Sequence, residues 1–174
     1  MGPMFVRSQP DPVLLSDIRV LHNLLVSESH HQRVRVRDYM AQVQQLITPN
    51  HRKIVTDWML EVCEDQHFHP EVYFHAINYL DRFLCIQLVG RDTLQLVGLT
   101  ALWLAAKQEE LVPPGLEQLV TLAAESYTEI NFRHMELLIL AKLELRLAAP
   151  TPAYLLNHMI AAEEERDWPG SSWR

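Results

Sequence analysis

The chain has 174 residues, of which 48% are hydrophobic and 21% are charged. This length and composition fit one globular domain that can bury a core of its own. The two cysteines, Cys63 and Cys85, are too few for a disulfide framework and favour a reducing compartment. No run of 18 apolar residues is present, so we expect no membrane partner.

The charge of the chain is distributed unevenly. Residues 1–53 carry seven Lys/Arg against four Asp/Glu, a balance of +3, whereas residues 54–174 carry eight against eighteen, a balance of −10. Because phosphate binding needs a basic face, this acidic body argues against a nucleic-acid partner. We interpret the short basic stretch RVRVR at 33–37 as part of a solvated linker, with a short exposed strand as the alternative.

Helical periodicity runs through most of the chain, and prolines mark the breaks. The first predicted helix lies within Asp11–Ser29, where leucines recur on one stripe. Thr48 as N-cap and Pro49 as first residue predict a helix to about residue 66. Further helices are predicted over 70–85, 91–110, 113–124, 128–145 and 152–162, before a tail that should fray.

The predicted helix over 91–110 is apolar around most of its circumference. A helix of this kind is buried, so we expect it at the centre of a helical bundle. Gly98, Ala101 and Ala105 recur on it at helical spacing, and such small residues let neighbouring backbones approach closely. Strand signals are nearly absent from the chain, which predicts an all-α fold.

No catalytic constellation is evident in the sequence. It has no glycine-rich phosphate loop, no nucleophile elbow and no HExxH motif, so we predict neither enzymatic activity nor a cofactor. Cys63 and His67 are four residues apart, with His69 nearby, which is a spacing that could chelate a metal. Because no second ligand cluster follows, we interpret the histidines as surface residues and predict no metal site.

Two charges interrupt apolar helical stretches. Lys107 ends the buried helix in LWLAAKQEELVPP at 102–114, and Glu136 opens the apolar run ELLIL at 136–140. Because charged groups are rarely buried unpaired, we expect each of them to have an interaction partner. We interpret them as a polar clamp that grips the backbone of a partner segment. The alternatives are an internal ion pair and a lysine that extends its ammonium group to water.

Ordered motifs over residues 11–159 resemble the cyclin family. DPVLLSDIRVLHNLL at 11–25 and DWMLEVCED at 57–65 look like D-type cyclins, and LAAPTPAYLL at 147–156 looks more like the A/B and O groups. The segments that match the family generally are NYLDRFL at 78–84, LQLVGLTALWLAAKQEE at 94–110 and PP at 113–114. The resemblance implies a cyclin box, a five-helix bundle around a central buried helix, with an N-terminal helix outside it.

The resemblance also implies a domain organisation and a function. It places an N-terminal extension at 1–45, the cyclin box at 46–147, and the start of a truncated second box with the tail at 148–174. The implied function is a regulatory subunit, in nucleus and cytoplasm, that binds and activates a cyclin-dependent kinase of the D-type-cyclin partner class. One alternative is a truncated cyclin-box protein that binds a kinase non-productively or acts as an interaction module. Another is a transcription-factor-type cyclin fold, against which the acidic body argues.

Two family sites map onto the sequence. In cyclins, the matching lysine and glutamate meet the kinase backbone around its C-helix, and apolar neighbours pack on that helix. The implied kinase-binding residues are Lys107, Glu136, Leu104, Gln108, Leu140, Leu145 and Leu147, with Gln108 replacing a commonly apolar residue. The implied docking patch for Arg-x-Leu segments of substrates or inhibitors is Ile54, Val55, Trp58, Glu61, Leu94 and Gln95, with His51 replacing the family's methionine. The Leu-x-Cys-x-Glu motif of D-type cyclins is not found in the sequence.

Overall fold

The computed structural model describes residues 11–34 and 38–166, and these residues form helices and no strand. The helices are α1 (Pro12–Ser16), α2 (Ile18–Val34), α3 (Tyr39–Gln42), α4 (Pro49–Asp65), α5 (Pro70–Leu84), α6 (Arg91–Glu109), α7 (Leu116–Leu122), α8 (Glu129–Lys142) and α9 (Pro152–Arg166). The predicted all-α class is confirmed. In this part of the chain, no helix is long and apolar enough to cross a membrane.

The predicted start of α4 is confirmed in detail. The Thr48 side chain accepts a hydrogen bond from the backbone N–H of His51, and Pro49 occupies the first turn. In return, His51 Nδ1 accepts the backbone N–H of Thr48 at 3.0 Å. This reciprocal capping satisfies two amide groups that would otherwise lack partners at the helix end.

The first predicted helix is interrupted, which corrects the sequence-based boundary. Asp17 adopts an extended conformation between α1 and α2, because its carboxylate accepts the backbone N–H of Arg19 at 2.9 Å and so caps α2. Helix α2 continues to Val34, so the first two residues of the basic stretch at 33–37, which was predicted to be part of a linker, are helical. Residues 35–37 of the basic stretch lie outside the described residues.

Three further boundaries differ from the prediction, and one of them is the end of α8, which lies at Lys142 rather than at about residue 145. Helix α7 begins at Leu116 rather than at Pro113, because a residue that precedes a proline is disfavoured in the helical conformation. Helix α9 continues to Arg166, since good helix formers follow Ala162 and no proline interrupts them before residue 169. The fraying predicted for residues 167–174 lies outside the described residues.

The contacts between described residues divide the chain into two compact units. One unit lies within Arg33–Ala149, and the other lies within Met1–Gln32 and Pro150–Arg174. In the latter unit, α1 packs against α9. The fully buried His158 donates from Nδ1 to the carbonyl oxygen of Leu15 over 3.0 Å, which fixes this pairing. Parts of the predicted N-terminal extension and of the predicted second-box start therefore belong to one unit.

Helix α6 is the centre of the other unit. Every residue from Leu96 to Ala106 is buried, and α6 packs against α4, α5 and α8. A methyl group added at Gly98 would lie 2.8 Å from Val55 Cγ1 and 3.1 Å from Met59 Sδ. Helix α4 therefore approaches too closely for any side chain at this position. Both the central buried helix and its close-packed face are confirmed.

A buried glutamine joins the segment before α4 to the end of α5. Gln44 is 4% exposed, and its side-chain nitrogen donates to the carbonyl oxygens of Leu84 and Gln87 at 2.6 and 2.7 Å. Its side-chain oxygen accepts the backbone N–H of Val89 at 3.1 Å. One side chain thus satisfies three backbone groups in the turn that leads from α5 to α6.

Candidate functional site: a polar clamp at the end of the central helix

Lys107 and Glu136 form the candidate site, at the place where the last turn of α6 meets α8. Lys107 Nζ lies 2.5 Å from Glu136 Oε1, and the two side chains are 36% and 17% exposed. The internal ion pair, which the sequence left open as an alternative, is therefore present in the chain on its own. Within the described residues, no hydrogen bond engages the other two Lys107 donors or Glu136 Oε2, so the pair can also contact a partner's main chain.

The Trp103 ring packs against the ammonium group of Lys107. Lys107 Nζ lies 3.4 Å above the centre of the Trp103 ring, one helical turn earlier, in a cation–π contact. The Trp103 indole nitrogen donates to the carbonyl oxygen of Pro114 at 3.0 Å, so the ring itself is anchored. The basic group also lies at the carbonyl end of α6, where the helix dipole favours a cation. Three interactions therefore stabilise Lys107 here: the ion pair with Glu136, the cation–π contact with Trp103 and the dipole of α6.

The apolar residues of the predicted kinase-binding set differ in how deeply they are buried. Leu104 is buried at 4% exposure and forms part of the core, while Leu140 and Leu147 are half-buried. Leu145 is 74% exposed and has a positive φ of 57°, directly after Glu144 at 53°. Such angles are unfavourable for residues other than glycine. The end of α8 thus holds an apolar side chain out in solvent.

The three residues that follow Lys107 are each tied to α5 or its cap. The Tyr79 hydroxyl donates to Gln108 Oε1, and Glu109 Oε1 lies 3.3 Å from His75 Nε2. The hydrogen bond from His75 holds the pKa of Glu109 below its usual value. Glu110 Oε1 accepts the backbone N–H of His69 at 2.6 Å. These contacts fix the end of α6 against α5, and sequence reasoning had considered only Gln108 among them.

The residues of the predicted docking patch lie on two packed helices. Helix α4 carries Ile54, Val55, Trp58 and Glu61, and α6 carries Leu94 and Gln95. Ile54 and Glu61 are exposed, whereas Val55 and Trp58 pack against the core and Leu94 is only 2% exposed. Leu94 is therefore a core residue and offers almost no surface to a docked segment. His51 Nδ1 is occupied by the hydrogen bond from the Thr48 backbone N–H at the start of α4.

Sequence reasoning missed a second charged pair. Arg52 donates through Nε and Nη2 to the two carboxylate oxygens of Asp81 at 2.7 and 2.8 Å, and the Tyr39 hydroxyl donates to Asp81 Oδ1 at 2.9 Å. The Asp81 hydrogen bond raises the pKa of Arg52, and burial raises the pKa of Tyr39, so both remain donors. The sequence signal for this pair was one charged residue of opposite sign in each of two amphipathic helices, Arg52 in α4 and Asp81 in α5.

The residues considered for a metal site do not lie together in a suitable way. Cys63 is buried, and burial raises the pKa of its thiol to about 12, which disfavours the thiolate that binds metals. His67 is exposed and lies just beyond the end of α4. Among the described residues, no group of three or more His, Cys, Asp or Glu side chains is arranged to hold a metal ion.

The unit around α6 is a helical bundle with a charged pair where the end of its central helix meets α8. Comparison with known proteins gives the family. Residues 19–148 match the family described as "Cyclin, N-terminal domain". This chain therefore belongs to the cyclin family.

Curated relatives and a solved structure agree with this assignment. The G1/S-specific cyclin-D2 of Xenopus laevis is 42% identical over 159 residues, which are 91% of this chain and 54% of that protein. The G1/S-specific cyclin-D1 of Bos taurus is 40% identical over 164 residues, covering 92% and 55%. A viral cyclin from herpesvirus saimiri has a TM-score of 0.66 at 25% identity, covering 75% of this chain and 56% of that chain. The chain thus spans about half the length of the curated relatives it matches.

Proposed function

We propose that this chain is a regulatory subunit that binds and activates a cyclin-dependent kinase at the G1/S step of the cell cycle, in nucleus and cytoplasm. The D-type relatives match this chain over nearly its whole length and are named G1/S-specific cyclins. Their similarity supports a cyclin-dependent kinase as the partner and G1/S as the step. The single observation that carries the proposal is the Lys107–Glu136 pair, held at the surface with unused hydrogen-bonding groups.

The two charges suit a partner's main chain. The free donors of Lys107 match a carbonyl oxygen, and the free carboxylate oxygen of Glu136 matches an N–H group. Leu140, one turn after Glu136 on α8, supplies apolar surface beside the pair. Leu145 and Leu147 follow α8 along the chain, and the exposed Leu145 has the most area left to bury. This combination of a charged grip and apolar contacts fits the C-helix region of a kinase.

Activation then follows from selective binding. A kinase is active only when its own Lys–Glu ion pair is formed and its metal-binding loop is in place. A subunit that contacts the C-helix only in its inward position binds the active state more tightly than the inactive one. It therefore shifts the kinase population toward the active state by its differential affinity, without taking part in phosphoryl transfer. This is the regulatory, non-catalytic role that we propose.

The grip is tested by a double variant, Lys107→Ala/Glu136→Ala. Because truncating one side of a desolvated charged contact costs on the order of 2–5 kcal/mol, we expect kinase pull-down to be lost. Removing both members together leaves neither charge unpaired in the free chain, so the melting temperature should stay close to that of the parent. Retained pull-down from a panel of cyclin-dependent kinases would contradict the site. Loss of the fold would indicate that the pair serves stability instead.

We also propose that the exposed face of α4 docks Arg-x-Leu segments. Ile54 is 57% exposed, and Glu61, two turns further on, offers a carboxylate for the arginine. We expect Ile54→Ala to raise the KM of the activated kinase several-fold for Arg-x-Leu substrates and to leave kcat unchanged, because docking is remote from the chemistry.

Leu60→Ala is the matched control for docking, since Leu60 is 41% exposed on the same helix but lies on another face. Trp58 is a poorer probe because it packs against the core. Equal KM changes for substrates with and without Arg-x-Leu, or equal changes in both variants, would remove the docking assignment.

A further inference from the structure

Gln108 follows the clamp lysine directly, and its amide is oriented by a buried tyrosine. The Tyr79 side chain is fully buried in α5, and its hydroxyl donates to Gln108 Oε1 at the exposed end of α6. Burial raises the pKa of the Tyr79 hydroxyl, so the group keeps the proton that it donates. The stacked ring of His75, with its centroid 5.9 Å from that of Tyr79, packs beside it.

This hydrogen bond decides which way the amide faces. Because Oε1 accepts the tyrosine proton, the nitrogen end of the Gln108 amide carries two N–H donors away from Tyr79. Within the described residues, neither donor makes a hydrogen bond. The next two side chains, Glu109 and Glu110, are carboxylates that carry no donor, and each is engaged through one oxygen with His75 or His69. Among these four residues, Lys107 and Gln108 are therefore the ones that can donate to a partner.

We propose that Gln108, oriented by Tyr79, is a specificity-determining residue of the partner-binding surface. It selects a partner segment that presents a main-chain carbonyl or a side-chain oxygen opposite the amide, rather than an apolar side chain. Tyr79 is a positioning residue, because it acts on the partner only through Gln108. The inference rests on the proposed function, and it adds a polar selection that an apolar residue at position 108 could not provide.

The physical reason for selection is the cost of an unsatisfied polar group. A partner with an acceptor at this place exchanges a water hydrogen bond for one to Gln108. A partner with an apolar group there covers the two amide donors and leaves them unpaired. An unpaired buried donor lowers affinity by more than one good hydrogen bond raises it. Gln108 therefore excludes unsuitable partners more strongly than it favours suitable ones.

Gln108→Glu separates a partner contact from a structural role. Glutamate keeps an oxygen that accepts the Tyr79 hydrogen bond, but it replaces both N–H donors with a second acceptor oxygen. We expect the 174-residue chain to keep its melting temperature within a few degrees. We also expect it to bind its cyclin-dependent kinase at least about tenfold more weakly, measured by titration calorimetry. Gln108→Leu, which adds no charge, should also weaken binding, so that the loss is not a charge effect alone.

Tyr79→Phe tests the positioning step, because it removes the hydroxyl and keeps the ring. We expect a Kd about threefold higher in the parent chain. In the Gln108→Leu background the same change should have no effect on Kd, since the amide that it orients is gone. An equal effect of Tyr79→Phe in both backgrounds would overturn the positioning role.

The result for Lys107→Ala tells the two proposals apart. Binding that Lys107→Ala abolishes and that Gln108→Glu leaves unchanged would overturn the inference alone. A parent chain that binds no cyclin-dependent kinase of the panel would overturn the proposed function and this inference with it. Weaker binding in Lys107→Ala, Gln108→Glu and Gln108→Leu, with melting temperatures retained, would support both.

Discussion

Charged residues on neighbouring helices meet in pairs in this molecule. Lys107 and Glu136 are 29 residues apart in the sequence, and so are Arg52 and Asp81. Each pair joins two helices of the same unit, and each gains a third contact, from the Trp103 ring or the Tyr39 hydroxyl. The two pairs differ in use. Lys107 keeps unsatisfied donors at the surface, whereas Asp81 accepts three hydrogen bonds from within the chain and serves the fold.

The Arg52–Asp81 pair should therefore be required for stability. We expect Arg52→Ala to lower the free energy of unfolding by about 2 kcal/mol. This is below the cost for a fully buried pair, because the Arg52 and Asp81 side chains retain 29% and 16% exposure. Lys53→Ala is the adjacent control, since its pair with Asp57 is largely exposed and should contribute little to stability. Equal urea-unfolding midpoints for the two variants would contradict this ranking.

The sequence indicated that Lys107 and Glu136 need a partner, because each interrupts an apolar run. It could not show that they pair with each other, since nothing local encodes a contact across 29 residues. Arg52 and Asp81 escaped notice because their helices are amphipathic, where a charge is ordinary. Tyr79 was also missed, since a buried tyrosine in a helix does not reveal where its hydroxyl points.

Helix packing follows from the small residues of α6. Gly98 lets α4 approach α6 so closely that Val55 Cγ1 occupies the space that a methyl group would need. The same contact positions α4, the helix that carries the proposed docking residues. The helix bodies and caps were predictable from period, proline and capping signals. The break at Asp17 and the late start of α7 were not, because local hydrogen bonding and the Pro113–Pro114 pair outweighed the periodic pattern.

Gly98→Ala tests this close approach. Alanine is the better helix former by about 0.5–1 kcal/mol, but the added methyl group clashes with a β-branched side chain that has little freedom to move. We expect a net loss of about 1–3 kcal/mol in the free energy of unfolding, typical of an overpacked core. Gly115→Ala is the control, because an added methyl group there meets nothing within 4 Å. It should change the free energy of unfolding by less than about 1 kcal/mol. A stabilised Gly98→Ala variant would refute the packing argument.

At the scale of the whole molecule, the bundle around α6 carries both proposed surfaces. The clamp lies at the carboxyl end of α6, and the proposed docking residues of α6 lie in its first turns, separated by the buried stretch from Leu96 to Ala106. One helix with a buried middle therefore joins the two proposed surfaces and fixes their spacing. Under the proposed function, this spacing would set the distance between a bound kinase and a docked substrate segment.

The most direct test of the account is a titration of a monomeric cyclin-dependent kinase with this chain, followed by phosphorylation of a substrate without Arg-x-Leu. We predict a saturable rise in turnover with the parent chain, because in the proposed role the clamp favours the active kinase state. At the same concentrations, we predict no rise with Lys107→Ala/Glu136→Ala. A complex that forms without any rise in turnover, or the same rise with the double variant, would contradict the account.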